Sequence, residues 1–492
     1  MKDLKQKTIQ GGLLKLISQG ASLFVRVGSL MILARLLGPK DFGLVGMVTA
    51  FTGVLDLFRD FGLSSAAVQR STVTEEQIST LFWINILVGV VLSVLGFAMA
   101  PAVAAFYHEP RLAAVMDVLA VGFLFNAAGV QHSVLLQRQM RFTALTVVGT
   151  TAFIVGTAVA IGAAMAGYGY WSLVAMTVAQ PLTNTIGLWL ATSWVPGMPA
   201  RQTGIRSMMR FGGTLTLNGL VAYIAFNAEK VLLGRFWGAE AIGLYGRAYQ
   251  LVNVPTSTLN GAIGEVAFAG LSRVQDDPVR FRSYFLKGYS LVLAMTLPVT
   301  IVCTFFASDV ILVLLGPKWG DAAPIFRLLA PTVLMFAIIN PVGWVLYSLG
   351  LVGRGLKVAL VFAPIILVGY LIGLPHGPKG VAFAYSAVMI VWAIPHIAWC
   401  LHRTVISLKD ILTTLGRPLA SSIAAGVLAL GVRLAYGQFL SPLPRLVLES
   451  SVLLLTYMAI LLFVAGQKSF YLDLIKQMRG SSSIPEETLV ST

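Results

Sequence analysis

Apolar stretches long enough to cross a bilayer recur along almost the whole chain, and this recurrence constrains the fold more than any other feature. A helix needs roughly 20 apolar residues to span the hydrocarbon layer. Such stretches fall at 13–37, 42–60, 78–100, 112–136, 143–165 and 168–195. They continue at 205–228, 241–271, 284–307, 322–350, 355–374, 379–402, 417–437 and 446–466. Inside a bilayer no water pairs with backbone N–H and C=O groups, so each segment satisfies its own as a helix. The expected fold is therefore all-α, a polytopic membrane protein of about fourteen transmembrane helices. The loops between the segments are too short to hold a catalytic domain.

Only 11% of the 492 residues are charged and 57% are hydrophobic. Soluble domains carry about 25% charged residues, so a soluble multidomain enzyme is excluded. The net charge is +15. In a soluble chain that balance would suggest nucleic acid; here it reads as the basic bias of cytoplasmic loops. With the N-terminus inside, alternate loops collect the majority of the 35 Lys and Arg, from Lys2, Arg59, Arg138 and Arg201 to Arg280, Arg354, Arg403 and Lys468. The other loops hold few, such as Arg35, Arg111, Lys318 and Arg445. The asymmetry predicts both termini on the cytoplasmic side of the cytoplasmic membrane and an even number of crossings. The basic start leads directly into an apolar run without a small-residue cleavage site, so the first helix is read as retained.

Catalytic signatures are missing. There is no Walker motif, GxSxG, HExxH or CxxC, and the five histidines lack ligand spacing. Cys303 and Cys400 lie in apolar runs and read as core residues. The expectation is a transporter rather than an enzyme, with no cofactor, no metal and no nucleic-acid partner.

An internal repeat organises the segments. LARLLGPKDFGLVG begins at Leu33 and LGRFWGAEAIGLYG at Leu233, an offset of 200 residues. Identities fall at Leu33/Leu233, Arg35/Arg235, Gly38/Gly238, Gly43/Gly243, Leu44/Leu244 and Gly46/Gly246. A weaker match at an offset of 210 joins Ala113/Ala323, Leu119/Leu329, Ala120/Ala330, Leu124/Leu334 and Gly167/Gly377. Six helices separate the copies, so both halves share one orientation, as in transporters built from parallel repeats. The division expected is a six-helix lobe over 1–200, a second over 201–405, and two further helices with a cytoplasmic tail over 406–492.

Polar side chains stripe several segments. An ionised side chain at mid-membrane costs about 2.5–3.5 kcal/mol on insertion scales and should face a cavity or a partner. The first segment carries Ser18, Ser22, Arg26 and Ser29 on one face; the second carries Thr49, Thr52, Asp56 and Asp60, with Arg59 beside them. The eighth carries Tyr245, Tyr249, Asn253, Thr256 and Asn260, with Arg247 nearby. Asp117 aligns with Arg327 at the 210-residue offset, as a candidate salt bridge between halves. Arg in a wet cleft suits an anionic substrate, because guanidinium binds phosphate oxygens bidentately.

The stretches LARLLGPKDFGLVGMVTAF (33–51) and DLFRDFGLSSAAVQR (56–70) resemble the Wzx-type polysaccharide flippases of the multidrug/oligosaccharidyl-lipid/polysaccharide exporter superfamily, in the exopolysaccharide branch. The resemblance implies a MATE-like fold of two six-helix lobes about a cationic cavity, with two added helices. It implies alternating-access transfer of an undecaprenyl-diphosphate-linked oligosaccharide repeat unit to the periplasmic leaflet. Membrane lipids, a polysaccharide polymerase and a chain-length regulator are the partners such a role meets. In that reading Arg26, Arg247, Arg327, Tyr249 and Asn253 bind substrate, and Asp56 or Asp60 couples an ion. The alternatives are a cation-coupled multidrug antiporter of the same superfamily, which wants a carboxylate-dominated cavity, and a membrane-embedded glycan polymerase, which wants a large outer loop.

Overall fold

A computed structural model describes residues 25–59, 73–200, 206–469 and 471. Among these, every regular element is helical. In chain order they are α1 (25–36), α2 (Pro39–Asp56), α3 (Glu75–Tyr107), α4 (Arg111–Arg138), α5 (Phe142–Met165) and α6 (Trp171–Thr192). Then come α7 (206–237) and α8 (239–273), which run as one helix broken at Gly238, and α9 (Pro278–Phe305). They are followed by α10 (Ala322–Ser348), α11 (Val352–Gly373), α12 (Gly377–Leu401), α13 (Leu408–Tyr436) and α14 (Pro442–Val464). The helices follow the apolar segments closely. Among the described residues, nine helical stretches are long and apolar enough to cross a membrane as they stand, with α11 and α12 counted as one stretch. A short helix, Ala307–Leu314, precedes α10 and was not anticipated from the sequence.

Local chemistry sets the ends. Thr74 and Gln77 form a capping box at the start of α3, each side chain bonding the other's backbone N–H. Ser407 and Asp410 do the same for α13. Proline opens α2, α9 and α14, where a missing N–H costs nothing. The α7–α8 break is at Gly238, with φ 78° and ψ −174°, a backbone open only to glycine. Gly38, its counterpart between α1 and α2, has φ −95°. Its N–H bonds the Asp41 carboxylate at 2.9 Å.

The chain divides into two compact units. The first runs to Ala248 and adds 314–325 and 359–385; the second comprises 249–313, 326–358 and 386 onward. In the first unit small residues let helices approach, as is usual where lipid supplies no hydrophobic drive between them. Gly96 lies against Ala120 and Gly89 against Ala127 where α3 meets α4. Ser93 Oγ donates to the Ala120 carbonyl at 2.8 Å in the same seam. Thr185 Oγ1 and Trp189 Nε1 of α6 donate to α4 carbonyls at 2.7 and 2.9 Å. At the opposite end of these helices from the α1–α2 turn, the stretch after α6 is pinned to α3. Trp83 Nε1 donates to the Gly197 carbonyl, and the Gly197 and Ala200 N–H groups donate to Ser79 and Thr80.

The second unit has an aromatic core. Phe285 and Tyr289 stack at 5.5 Å within a buried cluster that includes Phe281, Trp344, Val345, Cys400 and Ile411. Helices α13 and α14 attach through Phe306, Ala425, Ala429, Leu453 and Tyr457. They are also held by charge. Asp309 is fully buried and meets both Arg433, at 3.1 Å, and Arg445. Arg433 reaches buried Glu449 at 3.6 Å. The spare guanidinium N–H groups bond the Phe305 and Gly437 carbonyls. Two carboxyl groups thus face two guanidinium groups.

Candidate functional site

The two copies of the junction motif meet each other within the first unit. Gly43, one turn into α2, lies against Ala239 at the start of α8. A Cβ there would fall inside the radius of the Ala239 carbonyl oxygen. Gly243 of α8 lies in the same way against the Pro39 carbonyl at the start of α2. Positions 39 and 43 correspond to 239 and 243 at the 200-residue offset, so the contact is reciprocal. Each repeat offers the other the same surface, as the two sides of a two-fold interface do. Gly46 extends the seam against Ile242.

The reciprocity continues into the flanking turns. The last carbonyls of α1 lack intrahelical donors. Those of Ala34, Arg35 and Leu36 accept from the turn before α10. Trp319 Nε1 donates to Ala34 at 2.7 Å and Lys318 Nζ to Arg35 and Leu36 at 3.3 and 3.4 Å. At the end of α7, Arg235 meets the His108 ring in the α3–α4 turn and lies over Phe106 at 5.5 Å. His108 and Lys318 correspond at the 210-residue offset. Each junction is therefore capped by a turn from the other repeat. Trp237 Nε1 also donates to the Leu374 carbonyl at 2.8 Å, where Gly377, at φ 67°, turns against the indole ring.

The seam has an aromatic backing. Phe42 is buried, packs edge-on to Trp319 at 5.4 Å, and carries the Arg247 guanidinium over its ring at 4.0 Å. Further along α2, Gly53 leaves room for the Tyr223 phenol of α7, whose hydroxyl donates to the Thr49 carbonyl at 3.2 Å. The α3–α4 turn adds one exposed ion pair, Glu109 with Arg111, through bonds of 2.7 and 2.8 Å. Those bonds hold the Glu109 carboxyl below the usual carboxylate range.

The residues singled out in the sequence fall as follows. Arg26 on α1 is exposed, with its guanidinium 6.0 Å over the Phe153 ring of α5. Arg247 is half-buried on Phe42, inside the seam. Asp56, at the end of α2, is exposed and pairs with Arg59 at 3.4 Å. Asp60 lies outside the described residues, as do Ser18 and Ser22 and the side chain of Asn260. In the second unit Tyr249 is half-buried, while Asn253 and Arg327 are exposed. Asp117 belongs to the first unit and Arg327 to the second. Among the described residues no three His, Cys, Asp or Glu side chains gather as metal ligands. The roles of Phe42, His108, Tyr223 and Trp319 are not apparent from the sequence. A Trp in the charged turn PKWGD was the available signal.

The reciprocal packing of the two junction motifs is thus set in an all-helical membrane fold. Solved structures share this fold. The lipid II flippase MurJ, in an inward closed conformation, superposes with TM-score 0.73 at 13% identity, over 94% of this chain and 100% of that one. An inward-facing MATE-family multidrug transporter superposes with TM-score 0.64 at 15% identity, over 78% and 94%. A family model described as a polysaccharide biosynthesis protein matches residues 32–324. The chain belongs to that family, among the Wzx-type polysaccharide flippases. The lipopolysaccharide biosynthesis protein WzxC of Escherichia coli K12 is 25% identical over 398 residues, 79% of this chain and 80% of that protein. Family and relatives are transporters rather than catalysts, and the chain is a multi-pass membrane protein of polysaccharide export.

Proposed function

We propose that the protein moves an undecaprenyl-diphosphate-linked oligosaccharide repeat unit from the cytoplasmic to the periplasmic leaflet, by alternating access between two six-helix lobes, 1–200 and 201–405. The reciprocal seam about Gly43 and Gly243 is the observation that carries this reading. It joins like surfaces of two repeats at one end of the bundle, so the same contacts can be made and released together. In this reading the seam is the periplasmic gate, and the cation-poor turns at its end lie outside. The loops at the other end carry most of the Lys and Arg, which keeps both termini in the cytoplasm.

Arg26, exposed on α1, would meet the diphosphate from the cavity side, with Arg327, Tyr249 and Asn253 as further polar contacts. Arg247 would act when the seam opens and uncovers Phe42. Asp56 and Asp60 are the groups proposed to couple an ion. A polysaccharide polymerase and a chain-length regulator would receive the product. The test is a deletion strain in which the sidedness of lipid-linked repeat units is measured. Accumulation on the inner leaflet, relieved by the wild-type gene, is the expected result. Normal delivery to the outer leaflet contradicts the reading.

A further inference from the structure

The second unit holds a cavity of about 630 Å³ at the opposite end of α9 and α13 from the buried charge group, between those two helices and the chain just after α14. Its lining carries Arg282, Lys287 and Arg417 and no carboxylate, together with Ser290, Thr414 and Gln467. We propose that this cavity binds the headgroup of an anionic phospholipid of the inner leaflet. The inner-leaflet assignment rests on the orientation proposed above; the binding itself does not.

The cavity is built rather than incidental. Arg282 is held by Asp410, Nε donating to Oδ2 at 3.0 Å, and Asp410 is itself fixed by the Ser407 cap. Gly466, at φ 65°, turns the chain back after the last turn of α14. That turn brings Gln467 and Ser469 to face α9 and α13. Tyr471 then ties the segment to α9, its hydroxyl 3.0 Å from Ser290 Oγ.

The chemistry selects the ligand. A phosphate diester is met by guanidinium bidentately and by ammonium as a point charge. The hydroxyl groups supply neutral donors. Gln467, also in the lining, carries an amide that can both donate and accept. It suits a headgroup that carries a free hydroxyl, such as glycerol. Val279, which is exposed, and Leu286 are the apolar members of the lining. They give acyl chains a wall to lie on, which a free anion would not need.

The test uses full-length protein in phosphatidylcholine nanodiscs doped with phosphatidylglycerol, followed by gentle re-extraction and counting of retained lipid by native mass spectrometry. Each basic residue near a membrane surface favours anionic lipid by an amount that makes a pair of them worth about a tenfold enrichment or more. Wild type is expected to retain phosphatidylglycerol over phosphatidylcholine by about that factor. The double variant Lys287→Gln/Arg417→Gln should lose it, and Arg111→Gln, at the seam end, should keep it. Unchanged enrichment in the double variant overturns the proposal, as does equal displacement by free glycerol phosphate. A Ser469→Cys variant reads orientation separately, since Cys303 and Cys400 are buried. Labelling by an impermeant maleimide in inverted vesicles but not intact cells supports the inner leaflet. The reverse overturns the orientation and leaves the lipid result standing.

Discussion

The seam about Gly43 and the charge group about Asp309 both hold helices together, by opposite means. The seam uses backbone approach, four indole or ammonium bonds to carbonyls at or just beyond helix ends, and aromatic edges. Each contact is short-ranged and individually small, about 0.6 kcal/mol for a typical hydrogen bond between membrane helices. Such a surface can part and reform. The charge group instead buries two carboxylates against two guanidiniums. Losing one member strands the others away from water. One region can part at small cost and the other resists parting, which favours the proposed motion in the repeats over motion in the attachment of α13 and α14.

The largest effect should follow from Asp309→Ala. It leaves Arg433 and Arg445 without their shared buried partner, and breaking a buried pair costs about 3–5 kcal/mol. Thermal unfolding of the purified protein should show the loss. Asp309→Leu combined with Arg445→Leu should recover part of it, because no lone charge remains between that pair. A single variant as stable as wild type would break the contrast with the seam.

Gly43→Val and Gly243→Val come next. The obstacle is backbone, so each should destabilise the closed seam by about 3 kcal/mol, the upper end for overpacking. A cysteine replacing buried Leu37 should then react faster with an impermeant maleimide, and by the same factor in both backgrounds. Unequal factors would contradict the reciprocity. Gly238→Ala should cost about 1–2 kcal/mol from backbone strain alone, since nothing lies near its Cβ position. Gly38→Ala, at φ −95°, should be close to neutral by the same thermal assay.

The smallest effect concerns pH. The Glu109 pKa is lowered by Arg111, so their pairing stabilises the α3–α4 turn above the ordinary carboxylate pKa of about 4.3. That contribution fades as pH falls through the lower folded value. The pair is exposed, so screening keeps it small. Glu109→Gln should flatten this acid limb of the unfolding curve slightly and leave neutral-pH stability nearly unchanged.

The helices were legible because hydrocarbon demands long apolar runs, and the repeat was legible because Gly43 and Gly243 are fixed by backbone contact. That these two glycines pack on the opposite repeat was not, since a spacing does not say which surface a glycine faces. The polar stripes were a weaker guide. Arg247 shares its helix with Tyr249 and Asn253, yet it stacks on Phe42 inside the seam. The Asp309 group was hidden because its members lie 124 to 140 positions apart from Asp309 in sequence, scattered among loops that read only as sparse outer charge.

In the proposed cycle the seam parts during each transfer. His108→Cys with Arg235→Cys places two thiols across one of its caps, where the native side chains meet. Joining them with a short, reducible bis-thiosulfonate reagent should stop delivery of lipid-linked glycan to the outer leaflet, and reductant should restore it. Undiminished delivery while the two positions remain joined would contradict the claim.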